Sequence, residues 1–234
     1  MYDMIIGNGF LAQNFSHYLN DRGVFFFVSG VSDSNEICES EFIREKQLLI
    51  ESISKLNNEL FVYFSSCYVV DTDMLNIKYY NHKENMESIV ESTASNYIIF
   101  RLPQVVGNGG NKNNLINFLF RHIENGKKFV LFKKATRNLI DISNVVNIVD
   151  FIISNGMYKN RIINIASNNN IYMMELVDII ESIVKKRALF SIENRGKNIT
   201  IDVTDISEII KKLKIEFGNR QVIDLLYKYY KRQG

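Results

Sequence analysis

The segment Tyr79-Tyr80-Asn81-His82-Lys83 sets a phenol and an amine four residues apart, which on a helix puts both on one face, one turn from each other. A phenol ionises at about pH 10 in water and must be tuned downward to exchange protons near neutrality. A neighbouring ammonium favours the phenolate, so Lys83 is the expected tuner of Tyr79. Ser65-Ser66 follow the apolar run Leu60 to Phe64, which would place a hydroxyl at a strand end, able to hydrogen-bond an oxygen that gains or loses a proton. Upstream, Gly7-Asn8-Gly9-Phe10-Leu11-Ala12 has G-x-G-x-x-A spacing, whose glycines let backbone N–H groups approach a pyrophosphate at a helix N-terminus.

Neither motif is specific alone. Among 12 tyrosines roughly one Tyr-x-x-x-Lys pair arises by chance, and Tyr227 with Lys231 is such a pair. Only the first pair follows a strand-end serine and precedes another strand. The glycine motif reads as a phosphate turn only between a strand and a helix; elsewhere it is a tight turn that binds nothing.

The elements supply that context. Tyr2 to Ile6 reads as a strand, and Leu11, Phe15, Tyr18 and Leu19 recur at helical spacing. Strand Val24 to Val28, helix 40–56, strand Leu60 to Phe64, helix 83–92 and strand Tyr97 to Phe100 follow. Strands apolar on both faces and alternating with helices predict an α/β fold with a doubly wound, Rossmann-like parallel sheet. Beyond Pro103, the chain's one proline, helix 114–125, short strands near 129–132 and 138–142, helix 143–154, strand 162–166 and helix 172–186 are expected. The tail from 188 offers two short extended segments and two helices, the last from Val222 to Lys231.

Composition narrows the partners. The chain has 234 residues, 46% of them hydrophobic, enough for one globular unit with two lobes. A net charge of +2 with scattered Lys and Arg gives no reason to expect a nucleic-acid partner. The absence of a long apolar run or a signal-peptide pattern predicts no membrane span and a cytoplasmic location. Cys38 and Cys67 fit neither zinc spacing nor a disulfide framework, and His17, His82 and His122 have no partner at ligand spacing, so no metal is expected.

In order, the glycine turn, Phe64-Ser65-Ser66, Tyr79 with Lys83, Arg101-Leu102-Pro103-Gln104-Val105-Val106-Gly107 and Arg137-Asn138-Leu139-Ile140-Asp141-Ile142 resemble the extended short-chain dehydrogenase/reductases. Within that group the likeness is to the NAD(P)-dependent nucleotide-sugar epimerase/dehydratase family, over about 1–166. The resemblance implies a catalytic trio of Ser66, Tyr79 and Lys83. It implies a cofactor, NAD or NADP, held by Gly7, Gly9, Phe10, Leu11, Pro103 and Val105. It further implies a nucleotide-sugar substrate held by Ser32, Asn114 and Arg137, with Arg137 gripping the diphosphate as a charge-assisted fork. The dinucleotide-binding core would comprise 1–110 and 136–166, and the substrate lobe 111–135 and 167–234. A homodimer through helices 40–56 and 83–92 is expected, with Ile43, Leu48, Leu49 and Met86 as contacts.

The sequence departs from the family in two places. Family members carry three further strands between the glycine turn and the Phe-Ser-Ser strand, whereas here only Val24 to Val28 stands there. That strand then resembles the family's fourth, Gly30-Val31-Ser32 its substrate-side loop, and the half-sheet that would cradle adenosine is missing. The first crossover would have to be of the rare left-handed kind. The connection from Ser66 to Tyr79 is also short, which leaves Tyr68 and Tyr80 as substitutes for Tyr79. Two readings stay open: an enzyme, as reductase or next as epimerase, or a non-catalytic dinucleotide or nucleotide-sugar binding protein.

Overall fold

The structure, a computed structural model, describes residues 3–71, 73–109 and 114–231. The first half alternates strand and helix: β1 (Ile5–Ile6), α1 (Phe10–Asn14), β2 (Val24–Phe27), α2 (Glu39–Ser54), β3 (Leu60–Ser66), α3 (Lys78–Thr93) and β4 (Tyr97–Leu102). There follow β5 (Gln104–Val106), α4 (Leu115–Glu124), β6 (Phe129–Phe132), β7 (Thr136–Arg137), β8 (Leu139–Asp141), α5 (Ile142–Ser154) and β9 (Arg161–Asn164). The last elements are β10 (Ile171–Tyr172), α6 (Met173–Val184), β11 (Phe190–Glu193), α7 (Ser207–Lys212) and α8 (Asn219–Tyr230). Of the two extended segments expected in the tail, β11 is the one that forms. The first helix is shorter than its apolar spacing suggested, one and a half α-turns followed by a 3-10 turn at Ser16–Tyr18.

The chain divides into two compact units, Met1–Leu102 with Val146–Ile165, and Pro103–Val145 with Ala166–Gly234. The first holds a parallel five-stranded sheet in the order β1-β2-β3-β4-β9, the α/β architecture expected from the sequence. Alternate side chains of each strand meet helices on opposite faces. Phe25, Phe27, Phe61, Tyr63 and Ile99 pack with Leu49 of α2 and Met86 and Val90 of α3. On the other face Phe15 stacks on Phe26 and Phe64 at 5.0 and 5.2 Å, and Tyr18 lies 4.7 Å from Phe26 and donates to Asp150 of α5 at 2.9 Å. Burying such aromatic rings removes about 150–250 Å² of surface each and dominates the unit's stabilisation.

This arrangement settles the crossover question. The steps from β1 to β2, β2 to β3 and β3 to β4 all run the same way across the sheet. The first connection covers the Phe26 face, whereas α2 and α3 cover the Phe25 face. The first crossover therefore has the opposite hand to the next two, the exception to a rule obeyed in about 98% of cases. β1 is the sheet's edge, and among the described residues no strand continues beyond it.

Leu49 is 0% and Met86 1% exposed, so both belong to this core and are withdrawn as dimer contacts; their apolar character reports the inner helix faces. Ile43, at 52%, stays open to solvent.

The second unit is built from three two-stranded ladders, β5 with β8, β6 with β11 and β7 with β10. Around them α4, α6 and α8 bury Ile116, Leu119, Leu176, Ile180 and Leu226, and Phe120 stacks on Tyr230 at 4.0 Å.

Candidate active site

In the first unit, Ser66 is the last residue of β3, beside Leu102 of β4. Its Oγ accepts the Tyr68 N–H at 3.3 Å, which fixes a 3-10 turn, Cys67–Val70, at the strand's carboxyl end. The neighbouring Ser65 Oγ is buried and has no hydrogen-bond partner among the described residues. Helix α3 starts five residues earlier than expected, so Tyr79 lies in its first turn and Lys83 in its second, on one face. A two-pronged ion pair ties α3 to the sheet: Arg101 Nε of β4 donates to Glu87 Oε1 at 2.8 Å, and Arg101 Nη2 donates to Glu87 Oε2. Tyr80 is buried and packs edge-on against Tyr79 and Tyr68, at 5.0 and 6.1 Å between rings.

Lys83 Nζ lies 5.8 Å from the centre of the Tyr79 ring. Its hydrogen bonds go elsewhere, to Glu45 Oε1 at 2.9 Å and to Tyr63 Oη at 3.2 Å. Glu45 is fully buried and is the hub of the cluster. Its Oε1 also accepts from Tyr63 Oη at 2.9 Å, while Oε2 accepts the Val31 N–H at 2.7 Å and lies 3.0 Å from His82 Nε2. Gly30 makes room for the arrangement: a Cβ there would stand 2.6 Å from Lys83 Nζ and 2.8 Å from Glu45 Oε1. The loop after β2 is thus stitched by its backbone to the side chain that holds the lysine.

The electrostatics differ from the sequence expectation. Burial pushes the Tyr79 phenol up, and the Glu45 and Asp33 carboxylates push it further the same way. The Lys83 ammonium is matched by the Glu45 carboxylate at contact distance, and the phenol is pushed up where the sequence predicts downward tuning. Burial also pushes the Glu45 carboxyl up, but the Lys83 ammonium and the His82 and Val31 hydrogen bonds outweigh it and hold the group well below the usual carboxylate range. Tyr63 is raised by burial and then by Glu45.

Glu45 and Tyr63 were not singled out from the sequence. The signal was nonetheless present for Glu45: Phe42, Glu45, Leu49 and Ser52 share the buried stripe of α2, so a carboxylate sits where helical spacing demands an apolar residue.

The glycine turn lies between β1 and α1, the required context. Gly7 has φ +126°, and a Cβ there would fall 2.6 Å from the Val28 carbonyl oxygen, so only glycine passes the end of β2. Gly9 is exposed and a Cβ there would meet nothing within 4 Å, leaving its backbone open to a ligand. Phe10 and Leu11 open α1 half-buried, and Ser32 is exposed.

In the second unit, Pro103 precedes β5, and Val105 pairs with Ile140 of β8. Asn114 caps α4, its Oδ1 accepting the Asn117 N–H at 2.8 Å. Arg137, half-buried on β7, donates to the Thr136 carbonyl at 2.7 Å, and no ion pair holds its guanidinium among the described residues. A cavity of about 210 Å³ in this unit is lined by Leu139, Asp141, Phe217, Gln221 and Lys228 among others, and by none of the expected site residues. The second Tyr-x-x-x-Lys pair is here too, with Lys231 Nζ 5.8 Å from the Tyr227 ring centre; among the described residues the buried carboxylates, Glu45 and Glu87, both belong to the first unit.

Comparison with known proteins follows the same outline. The sequence profile described as "NAD dependent epimerase/dehydratase family" matches residues 27–166, beginning in β2 and leaving the glycine turn outside. No curated protein matches the sequence. UDP-glucose 4-epimerase of Thermus thermophilus, solved with NAD, superposes with a TM-score of 0.69 at 10% identity over 96% of this chain and 82% of that one. The RMD protein of Pseudomonas aeruginosa, solved with NADPH, gives 0.67 at 15% identity over 97% and 89%. UDP-glucuronic acid 4-epimerase of Bacillus cereus, solved with UDP-glucuronic acid and NAD, gives 0.64 at 18% identity over 92% and 77%. At these identities the likeness is one of fold.

Proposed function

The chain belongs to the NAD-dependent epimerase/dehydratase family, and from that premise we propose that it is an NAD(P)-dependent enzyme acting at a keto or hydroxyl carbon of a nucleotide sugar. Reductase is the first reading and epimerase the second. The observation that carries it is the pairing on α3: a phenol and an ammonium on one face, 5.8 Å from nitrogen to ring centre, on the helix that follows the strand-end serines.

The turn between β1 and α1 fits the pyrophosphate of a dinucleotide, because Gly7 lets the chain pass close against Val28 and Gly9, exposed, leaves its backbone open to a ligand. The fit ends there, since β1 is the sheet's edge and α1, with five residues, aligns few peptide dipoles. Gly7, Gly9, Phe10 and Leu11, with Pro103 and Val105, would hold the cofactor, and the nicotinamide would supply or accept the hydride. The chain's own residues do the remaining work. Ser66 hydrogen-bonds the reacting sugar oxygen, Tyr79 exchanges a proton with that oxygen, and Lys83 sets the field around the phenol. Arg137, whose guanidinium has no carboxylate partner among the described residues, grips the diphosphate, with Asn114 and Ser32 beside the sugar nucleotide. Pairing of two copies through the outer faces of α2 and α3 belongs to the same proposal, with Ile43 as the exposed contact; Leu48, like Leu49 and Met86, packs against the sheet.

The edge position of β1 also favours a second reading, a nucleotide-sugar binding protein that does no chemistry. One substitution separates the two. Tyr79→Phe removes a single hydroxyl, so the enzyme reading expects turnover to fall by at least about a hundredfold, the low end of general-acid contributions, with the thermal midpoint nearly unchanged. Tyr227→Phe should leave turnover intact. Activity that survives Tyr79→Phe and is lost in Tyr227→Phe would mean the wrong pair has been chosen.

A further inference from the structure

A buried carboxylate at the centre of a site proposed to need a positive field asks for an explanation. Glu45 makes contacts with four groups from three parts of the first unit: Lys83 and His82 of α3, Tyr63 of β3 and the Val31 N–H of the loop after β2, every one of them 2.7–3.0 Å away. Glu45 is 0% exposed, His82 8% and Lys83 4%, so water screens none of these contacts. The cluster also has a backbone requirement, because a side chain at residue 30 would collide with both members of the Glu45–Lys83 pair. A carboxylate placed only to stabilise the fold would be a poor choice, since a well-packed apolar residue does as well or better in such a position.

We propose that Glu45 is the positioning residue of the Tyr79–Lys83 pair: by fixing and neutralising the Lys83 ammonium beside the phenol, it keeps Tyr79 in the protonated form that reduction starts from. The inference rests on the function proposed above and deepens it by naming the residue that sets the resting protonation state of Tyr79. In reduction, as the carbonyl carbon forms its new C–H bond with hydride from the reduced dinucleotide, the carbonyl oxygen takes the π-electron pair and then the Tyr79 proton. The O–H bond of the phenol breaks, and the phenolate left behind is re-protonated from solvent. The dinucleotide is the reductant and is oxidised. In the opposite direction Tyr79 would have to start as a phenolate, the state that this environment disfavours.

Every charged or titratable group facing the pair points the same way or is already matched. Glu45 comes from α2 and Asp33 from the loop after β2, and both disfavour the phenolate, as does burial itself. Tyr63 of β3 is bound to Glu45, and His82 of α3 shares the same carboxylate. Glu87 of α3 is paired with Arg101 of β4. No unmatched cation is left next to Tyr79 among these groups.

The test reads the ionisation of Tyr79 in the protein without cofactor, as the difference in tyrosinate ultraviolet absorption between each protein and its Tyr79→Phe counterpart. In the unmodified sequence Tyr79 should not ionise at or below the ordinary phenol value of about 10, and ionisation there overturns the proposal. Glu45→Gln should move the Tyr79 titration downward by at least a unit and shift the rise of the oxidising reaction to lower pH by a matching amount. A titration that stays put or moves upward overturns it. Should Glu45→Gln fail to fold, as its circular dichroism would show, the first comparison needs no variant of Glu45 and can still overturn the proposal. Failure of the functional reading looks different: Tyr79 and Glu45 would titrate as described while neither direction of reaction is detectable with any nucleotide sugar.

Discussion

At the scale of single residues, the two glycines of the phosphate turn can be separated experimentally. Gly7→Ala forces a side chain into a positive φ and against the Val28 carbonyl, which should cost about 1–3 kcal/mol in thermal or urea unfolding. Gly9→Ala meets nothing, so stability should hold within about 0.5 kcal/mol while dinucleotide binding weakens, because the added methyl stands where a phosphate would approach. Equal stability losses in the two variants would count against the turn's assignment. Gly7, Gly9, Ser66, Tyr79 and Lys83 were all legible in the sequence because each stands in a local pattern whose spacing carries meaning. Glu45 was passed over because its partners, Tyr63, His82, Lys83 and Val31, are 14 to 38 residues away, and no window along the chain brings them together.

Among the elements, α2 and α3 are clasped by a buried ion pair, which makes stability depend on pH in a definite sense. The folded state holds the Glu45 carboxyl below its ordinary value, so the unfolded chain binds the proton first as the pH falls. The contribution of Glu45 is therefore fully present above the unfolded value of about 4.3 and is lost as the pH drops below it toward the folded value. Acid titration of the thermal midpoint should show this decline, and Glu45→Gln should flatten it. At neutral pH the same substitution leaves Lys83 buried without its partner and should destabilise by about 3–5 kcal/mol. A pH profile identical in both proteins would remove the clasp from the account. Helix and strand positions were largely legible from apolar periodicity, and most boundaries shifted by one or two residues. The early start of α3 was not, because Lys78, Tyr79 and Asn81 break the apolar stripe, and tertiary contacts through Tyr80 and His82 extend the helix over them.

For the molecule as a whole, the missing half-sheet should show as a skewed affinity. The parallel order was legible from strands apolar on both faces, and the lack of strands beyond β1 from the shortage of candidate segments before Leu60. How the short first connection reaches β2 was not legible: the opposite-handed crossover depends on Phe15 and Tyr18 finding Phe26, a contact across the sheet that no local rule favours. A ligand that binds only the folded state raises its stability by RT ln(1 + [L]/Kd), about 2.7 kcal/mol at a hundredfold excess over Kd. Nucleotide sugars or nucleoside diphosphates should accordingly raise the melting temperature more than NAD(H) or NADP(H) at equal concentration, and Arg137→Ala should invert that order. Assembly is open to an equally simple check, since two copies meeting at the face that carries Ile43 should scatter light as a dimer at tens of micromolar, and a monomer there would remove the pairing. Whether a reduced dinucleotide occupies this chain for chemistry is decided by titrating the protein with NADH and with NADPH in the presence of a nucleoside diphosphate and following nicotinamide fluorescence. Saturable binding of at least one of the two is expected, weakened in Gly9→Ala and retained in Tyr227→Phe; no saturation with either, in a protein that still binds the nucleoside diphosphate, would mean that no dinucleotide works here.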